Sequence, residues 1–338
     1  ACFGGIVQYE RGCGCIDCSI KESYFDVGMR WIFLIVAFLI QSAVFSQDSL
    51  IVVSYNVENL FDYEHDTLKN DSSFLPEGNH HWTYHRYQTK LDRIAQVIVN
   101  IGGWESAMLV GLCEVENERC LRDLCYRLKR FHYKYVHYES GDERGVDVAL
   151  LYDSTKVKVL DSKPLFVSLN GDMTRDILFV EALVGGKDTL YTMVCHLPSK
   201  LGGSAATEWK RKAAKQVILQ QVDSILKVDS NASIVVMGDM NADPKDDLQG
   251  MNNLMIGWER VGKGTHKYQG MWSCLDQIYV SDALKGSATA TVFSPNWLLD
   301  EDTKYLDYQP KRAYVGYRYK GGYSDHLPIV LKIRIAAK

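Results

Sequence analysis

Acidic, amide and imidazole side chains stand at the ends of several apolar, β-branched runs in this chain. The clearest case is the run at residues 233–237, which is followed by Gly238, Asp239 and Asn241. Asp239 and Asn241 are two positions apart, so their side chains share one face if the chain stays extended. Taken alone, this pattern is as typical of a turn as of a site, because Gly, Asp and Asn are common turn formers.

The same pattern recurs at four further strand ends. These ends carry Asn56 with Glu58, Glu114, His196, and Asp325 with His326. Burying several carboxylates costs desolvation free energy, so five such ends meeting at the sheet edges indicate a functional site and not a set of turns.

Oxygen donors are prominent among these residues. The predicted metal ligands are Glu114, Glu58, Asn56 and Asp325. Hard oxygen ligands suit Mg²⁺, with Mn²⁺ as the alternative, better than they suit a thiolate-bound zinc ion. His196 and Asn241, together with the amide of Asn56, can donate to charge that builds on phosphoryl oxygens.

A carboxylate–imidazole pair completes the set. Asp276 lies on a predicted strand at residues 272–281 and can orient His326. Asp239 can accept a proton from an attacking water, and the choice of general base between Asp239 and His326 stays open. Together these groups are the parts of metal-assisted phosphoester hydrolysis.

Strands and amphipathic helices must hold these side chains in place. Apolar runs predict strands at residues 50–62, 107–114, 133–138, 146–152, 177–184, 189–195, 233–238, 272–281 and 327–334. Apolar residues at helical spacing predict helices at 87–102, 117–129 and 206–226. Residues 293–320 form an aromatic, charged excursion between the last two of these strands.

The ordered motifs resemble the endonuclease/exonuclease/phosphatase superfamily, the deoxyribonuclease I-like proteins. They are Tyr55-Asn-Val-Glu58, Glu114, His196-Leu-Pro, Gly238-Asp-Met-Asn241, Leu275-Asp-Gln-Ile and Ser324-Asp-His326. The resemblance covers about residues 48–335. The stretches His196-Leu-Pro-Ser-Lys-Leu-Gly-Gly203 and Tyr268-Gln-Gly-Met-Trp272 are similar to a secreted bacterial branch described as endonuclease-like.

This resemblance implies an α/β fold, a four-layer α/β sandwich in which two mostly antiparallel sheets pack face to face with helices outside. It implies these roles: Glu114 as principal metal carboxylate, Glu58 and Asp325 as auxiliary ligands, Asp239 and Asn241 positioning water and phosphate, His326 with Asp276 as the His–Asp pair, and His196 donating to a phosphate oxygen. Arg144 is a candidate phosphate contact, and an ordinary turn arginine is the equal alternative.

The substrate is less well defined than the reaction. The 5-phosphatase branch carries Trp-Cys-Asp-Arg where this chain has Cys274-Leu-Asp276-Gln277, which weakens an inositide assignment. An Arg-rich minor-groove loop is not evident, which weakens assignment to duplex DNA. We expect a secreted Mg²⁺-dependent phosphodiesterase acting on nucleic acid. The alternatives are a phosphatase or a phospholipid or sphingomyelin phosphodiesterase, and, from another class, a catalytically silent binding domain.

Composition is that of an ordinary globular protein. The 338 residues are 46% hydrophobic and 24% charged, with a formal net charge of −4. This balance provides no global basic field to hold a long polyanion, which argues against non-specific coating of nucleic acid and leaves a local basic patch as the alternative. We expect a monomer whose main partner is its phosphoester substrate.

The N-terminal 46 residues have the pattern of a segment that is removed from the mature protein. Met29 and Arg30 precede an apolar run to Ile40, and small and polar residues follow it. This order predicts a signal peptide at 29–46, and the run is shorter than the roughly 20 residues of a membrane span. An uncleaved N-terminal anchor is the alternative. We expect residues 1–28 to be a non-native or disordered extension, and 47–338 to be the catalytic domain.

Overall fold

The structure is a computed structural model that describes residues 49–171, 173–200, 202–245, 248–258 and 261–334. The predicted extension at 1–28 and the predicted signal peptide at 29–46 lie outside these residues. Within the described ranges, no helix combines the length and the apolar composition that a membrane crossing requires.

Four helices and three short 3₁₀ turns are present in this part of the chain. The helices are α1 (Tyr84–Gly102), α2 (Glu118–Arg127), α3 (Ser204–Val228) and α4 (Asp282–Lys285), and the 3₁₀ turns are Ser72–Phe74, Lys129–Phe131 and Asn296–Leu298. Side-chain caps define two of the starts. The Thr83 hydroxyl accepts from the Arg86 amide at α1, and the Asn117 side chain accepts from the Cys120 amide at α2.

The strands account for most of the remaining regular structure. They are β1 (Ser49–Leu60), β2 (Leu109–Val115), β3 (Tyr133–His137), β4 (Asp147–Asp153), β5 (Val157–Leu165), β6 (Ile177–Val184), β7 (Asp188–His196), β8 (Ser233–Asp239), β9 (Asn252–Asn253), β10 (His266–Tyr268), β11 (Met271–Ser273), β12 (Asp276–Val280), β13 (Ala288–Val292), β14 (Leu299–Asp302), β15 (Asp307–Pro310), β16 (Tyr314–Val315), β17 (Arg318–Tyr319) and β18 (Ile329–Arg334).

Two six-stranded sheets form the centre of the fold. One has the order β13-β18-β1-β2-β4-β3 and the other the order β5-β6-β7-β8-β12-β9. In each sheet one pair is parallel, β1 with β2 and β7 with β8, and the other pairs are antiparallel. The prediction of two mostly antiparallel sheets is confirmed.

Alternation along the strands explains the layering. In β1, Val52 packs between the two sheets, whereas Val53 and Tyr55 pack under the helices. In β8, Val235 faces the other sheet and Val236 faces α3. Because both faces of both sheets are covered, the arrangement is helix, sheet, sheet, helix, which confirms the predicted four-layer sandwich.

The predicted single strand at 272–281 is divided in the structure. Met271–Ser273 pairs with His266–Tyr268 in a separate two-stranded ribbon, and Asp276–Val280 pairs with β8. Between the two strands, the carbonyl of Leu275 accepts from the Met240 amide. This division places Asp276 at the first position of β12, opposite the last residue of β8.

Gly238 permits the close approach of β7 and β8. Its φ is 142°, and a Cβ atom built there would lie 1.8 Å from the carbonyl oxygen of Cys195. A side chain cannot be accommodated against backbone at this distance, so only glycine fits. The contact brings the end of β7, which carries His196, directly beside Asp239 at the end of β8.

Candidate active site

Strand direction brings the predicted site residues to one end of the sandwich. β1 and β2 are parallel, so Asn56 and Glu114 lie near the carboxyl ends of these two strands, on the same side of the first sheet. β18 runs antiparallel to β1, so the residues just before it, Asp325 and His326, stand at that edge too.

The second sheet repeats this geometry. β7 and β8 are parallel, and His196 is paired with Asp239 in the register. β12 is antiparallel to β8, and Asp276 is directly opposite Asp239. The end of β8 and the start of its antiparallel neighbour β12 therefore place the carboxylates of Asp239 and Asp276 side by side.

Three residues at this edge have a left-handed backbone. Glu58, Glu114 and Asn241 have φ values of 54°, 68° and 46°. Such conformations are uncommon for residues other than glycine and cluster at functional sites. At Glu58 and Glu114 they coincide with register shifts in β1 and β2, and Asn241 lies two residues after the end of β8.

The carboxylate of Asp239 lies at the centre of the site. Its Oδ2 accepts a hydrogen bond from Asn56 Nδ2 at 3.1 Å and lies 3.6 Å from His196 Nε2 and 3.9 Å from His326 Nε2. Its Oδ1 accepts from the backbone amide of Asn241 at 2.9 Å. Burial raises the pKa of Asp239 to about 6, although the nearby His326 acts in the opposite direction.

His326 is held by a buried carboxylate. Its Nδ1 lies 2.7 Å from Asp276 Oδ2, which leaves Nε2 directed at Asp239. Burial opposes a charge on this imidazole, but Asp276, Asp325 and Asp239 outweigh burial and raise the pKa of His326 well above its usual value. The predicted His–Asp pair is therefore present as a geometric unit.

His196 has the opposite electrostatic environment. Burial, followed by the charges of Arg175 and Arg144, lowers its pKa well below the usual value. Its Nε2 lies between Asp239 and Glu114, 3.6 Å from one carboxylate and 3.9 Å from the other. The contact that the structure gives the Arg144 guanidinium is with Asp142, at 3.8 Å.

Asn241 extends the site through its side chain. Its Nδ2 donates to the carbonyl of Leu197 at 3.0 Å, which links the loop after β8 to the residue after His196. In this structure the side chain braces the two parallel strand ends, and the backbone amide holds Asp239.

Glu114 is more accessible than Asp239 and Asp276, the two buried acids next to the histidines. Its side chain is 14% exposed, against 3% for Asp239 and 1% for Asp276. Its Oε2 accepts from the Asn59 amide at 2.9 Å, and its Oε1 accepts from Asn56 Nδ2 at 3.4 Å. Asn56 directs its nitrogen at these carboxylates, so metal ligation by Asn56 requires rotation of the amide.

The other two predicted metal ligands, Glu58 and Asp325, contact the segment at residues 312–314. Glu58 accepts from the amides of Ala313 at 2.6 Å and Tyr314 at 3.3 Å, and burial raises its pKa to about 7. Asp325 accepts from the Arg312 guanidinium at 2.7 Å. The predicted set thus forms one continuous acidic site, with Glu58 and Asp325 on the side of residues 312–314.

The donor set fits a hard divalent cation. Five acids, Glu58, Glu114, Asp239, Asp276 and Asp325, lie at this end of the sandwich, and one oxygen of Asp276 is buried without a hydrogen-bond partner among the described residues. Oxygen ligands of this kind are preferred by Mg²⁺ and Mn²⁺. Two sets of three residues in this site each bring their ligand atoms within 4.8 Å of one another. One set is His266, Asp325 and His326, and the other is Asp239, Asp276 and His326.

Four site residues were not predicted from the sequence. They are Lys90, Arg175, His266 and Arg312. Lys90 donates to the Tyr323 carbonyl at 2.7 Å, and its position one residue before Leu91 on the apolar face of α1 was an available signal. Arg175 donates to the His196 carbonyl at 3.4 Å and pairs with Asp142 at 3.3 Å.

His266 and Arg312 had no such signal, because both lie in irregular sequence. The His266 ring is 4.8 Å from that of His326, and burial lowers the pKa of His266 to about 4. Arg312 contacts Asp325 and lies 4.0 Å from Glu58. Residues 261–323 therefore cover one side of the site in a way that strand patterns do not show.

Comparison with known proteins assigns the family. The model of the Endonuclease/Exonuclease/phosphatase family matches residues 51–335, which includes every predicted site residue. The chain belongs to this family, and its coarse class is that of a phosphoester hydrolase. Among curated proteins, the sequence comparison finds no significant match.

Solved structures show the same fold at low identity. D. rerio TDP2 in complex with a single-strand DNA product is 20% identical, with a TM-score of 0.53, over 85% of this chain and 100% of that one. A family member from Bacteroides thetaiotaomicron is 16% identical, with a TM-score of 0.54, over 86% and 99%. The human Nocturnin catalytic domain with a bound sulfate anion is 15% identical, with a TM-score of 0.52, over 84% and 93%.

Asp276 acts through His326 in this geometry, and a double-mutant cycle tests that coupling. We expect Asp276→Asn to lower kcat for phosphodiester hydrolysis by about 10²- to 10⁴-fold, as loss of an orienting carboxylate does elsewhere. We expect the double variant Asp276→Asn, His326→Gln to be no slower than His326→Gln alone, because one unit is removed in either case.

Asp243→Asn is the matched control, because within the described residues the Asp243 side chain accepts from the Lys245 amide alone, and asparagine preserves that bond. This variant keeps wild-type kcat. Additive losses in the double variant would show that Asp276 and His326 act independently and would contradict the pairing.

Proposed function

We propose that the protein is a Mg²⁺-dependent phosphodiesterase, an endonuclease that hydrolyses the phosphodiester bonds of nucleic acid. The observation that carries the proposal is the environment of Asp239 Oδ2. This oxygen has an amide nitrogen at 3.1 Å and two imidazole nitrogens at 3.6 Å and 3.9 Å, and Glu114 lies next to His196. Such a group of donors suits a phosphoryl centre and an attacking water.

The chain's own residues supply positioning, proton transfer and charge. Asp239, fixed by the Asn241 amide and by Asn56, orients the water that attacks phosphorus. The water's proton passes to Asp239 or to His326 as the P–O bond to the leaving oxygen breaks. His196 donates to a non-bridging oxygen; His326 also donates if Asp239 takes the water's proton, and it does not if His326 itself is the base. Asp276 keeps His326 in the required orientation in either case.

The predicted metal would bind at Glu114, the principal ligand that the family resemblance implies. Glu114 would hold the ion, with Asn56, Glu58 and Asp325 as the further predicted ligands, each after the rotation or release of its present contact. When bound, Mg²⁺ would withdraw charge from the phosphate and lower the pKa of a bound water.

A basic and aromatic groove is formed by residues from the loop after β1, from α1 and from α2. The groove has a volume of about 330 Å³ and is lined by Tyr63, Tyr84, Gln88, Arg119, Arg122, Asp123, Tyr126 and Arg127. Arg119 and Arg127 also contact Glu64 and Asp92. Arginines interleaved with tyrosines suit a phosphate backbone and stacked bases, which favours nucleic acid over a small phosphoester.

Aromatic side chains also surround the other side of the site. A cavity of about 220 Å³ is lined in part by Trp258, Lys263, Trp272 and Leu327, and Leu327 directly follows His326. Tyr268, at the end of β10, is 66% exposed, and Tyr317, on the excursion at 293–320, is 64% exposed. These rings offer stacking surfaces for unpaired bases, each worth about 1–3 kcal/mol.

Activity on matched substrates tests the proposal. We expect Mg²⁺-dependent cleavage of single-stranded oligonucleotides and of plasmid DNA or RNA, and no turnover by Glu114→Gln. We expect Arg122→Ala to raise KM for an oligonucleotide about tenfold at low salt, and to leave hydrolysis of bis-p-nitrophenyl phosphate unchanged. Arg130→Ala, an exposed arginine outside the groove, is the control.

Other outcomes identify the alternatives. Turnover of sphingomyelin or a soluble phosphomonoester without cleavage of any nucleic acid would replace the nuclease with a lipid phosphodiesterase or a phosphatase. Equal absence of turnover by wild type and Glu114→Gln on every substrate would leave a binding domain and would refute the enzyme.

We further propose that the protein is exported. The supporting pattern is the single positive charge, apolar run and small, polar residues at 29–46. We expect the N-terminal sequence of protein recovered from outside the cytoplasm to begin near Gln47. An intact residue 1, or retention in the membrane fraction, would contradict removal of a signal peptide at Ser46.

A further inference from the structure

A second group of ligand-type side chains lies away from Asp239, at the end of the β3–β4 hairpin. His137, Glu139 and Asp147 each offer one ligand atom, and these atoms all lie within 4.8 Å of one another. The group stands at the same edge as Glu114, but on the strands β4 and β3, which follow β2 in the sheet.

Strand register explains why these side chains meet. His137 is paired with Ala149, so the same register places residue 139 opposite Asp147. Residues 137 and 139 are two apart and share a face of an extended chain. A directly opposite pair and a diagonal neighbour on one face can all reach a common point.

The imidazole of His137 is buried and lacks a hydrogen bond. Its side chain is only 1% exposed, and Nε2 has no hydrogen-bond partner in the described structure. This nitrogen lies 4.0 Å from Oδ2 of Asp147, whose side chain is 2% exposed. A buried polar atom without a partner carries a desolvation cost, which a bound ion would remove.

The distances suit an ion between these atoms. Two ligands that each lie about 2.1 Å from a tetrahedral zinc ion are about 3.4 Å apart, so the observed 4.0 Å needs only a small adjustment. Asp147 is already oriented by Ser140, whose hydroxyl and amide both donate to it. Glu139 is on the exposed side and leaves the point open to solvent.

The surrounding charges are mostly negative. Glu118 acts on His137, and Asp176 and Asp142 act with Asp147. The nearest cation is Lys69, whose ammonium donates to the carbonyls of Ser140 and Asp142. An added cation would therefore offset repulsion among the acids that Lys69 alone does not remove.

We propose that His137, Glu139 and Asp147 form a binding site for a divalent transition metal, of which Zn²⁺ is the best match. One imidazole and two carboxylates suit zinc, whereas Mg²⁺ and Ca²⁺ prefer sets made of oxygen alone. The fourth position is left to water. The ion would fix the turn at residues 138–146, which carries Asp142, the partner of Arg175.

Equilibrium dialysis followed by elemental analysis tests this site. The purified protein is dialysed against micromolar Zn²⁺ in the presence of millimolar Mg²⁺, which occupies the oxygen-rich site at Glu114. We expect about one Zn²⁺ per chain in the wild type. We expect His137→Gln and Glu139→Gln to retain less than about a tenth of that zinc, because three-ligand binding is lost.

Two controls separate this site from the active site and from exposed histidines. Glu114→Gln should keep its zinc whether or not it hydrolyses any phosphoester. His85→Gln removes an exposed imidazole from α1 and should also keep its zinc. Zinc that is lost in Glu114→Gln but kept in His137→Gln would assign the ion to the active site and overturn the proposal.

Thermal unfolding provides a readout that does not depend on stoichiometry. Glu139 is solvent-accessible and one of several neighbouring acids, so Glu139→Gln should fold with a Tm at least as high as that of the wild type without zinc. Zinc should raise the Tm of the wild type and not that of Glu139→Gln, because only the complete site gains binding free energy. Equal shifts in both proteins, or no zinc bound by the wild type, would refute the site.

Discussion

The burial of Asp239 is the constraint on which the rest of the site depends. A carboxylate that is 3% exposed must find hydrogen-bond donors within the protein. Asn56 from β1, His196 from β7, His326 before β18 and the Asn241 amide surround it, and they come from both sheets. The two sheets must therefore keep a fixed relation, which the core between them, built from residues such as Val52 and Val235, provides.

The strand framework and most of the site could be predicted from the sequence, since they follow from local pattern. The helices at 87–102, 117–129 and 206–226 are present as Tyr84–Gly102, Glu118–Arg127 and Ser204–Val228. Polar residues at strand ends do meet, because strand order and direction leave them at one edge. The structure gives the positions of these residues, whereas their catalytic and metal-binding roles remain predictions.

The parts that could not be predicted depend on long-range contacts. The sequence of β5 (Val157–Leu165) does not alternate regularly between apolar and polar residues, and its pairing with β6 makes it a strand. The strand at 272–281 divides because His266–Tyr268 pairs with its first part. His266 begins the three-residue strand β10 and Arg312 lies between β15 and β16, and segments this short show no periodicity that would mark a side chain as inward-facing.

The central claim is that these strand ends form a metal-dependent hydrolytic centre with Glu114 as the principal ligand. Anomalous scattering from crystals grown with Mn²⁺ measures the position of the ion directly. The account predicts a peak about 2.1–2.2 Å from the Glu114 carboxylate, on the side of Asp239. A peak held instead by His266, Asp325 and His326, or by Asp239, Asp276 and His326, with none at Glu114, would contradict it.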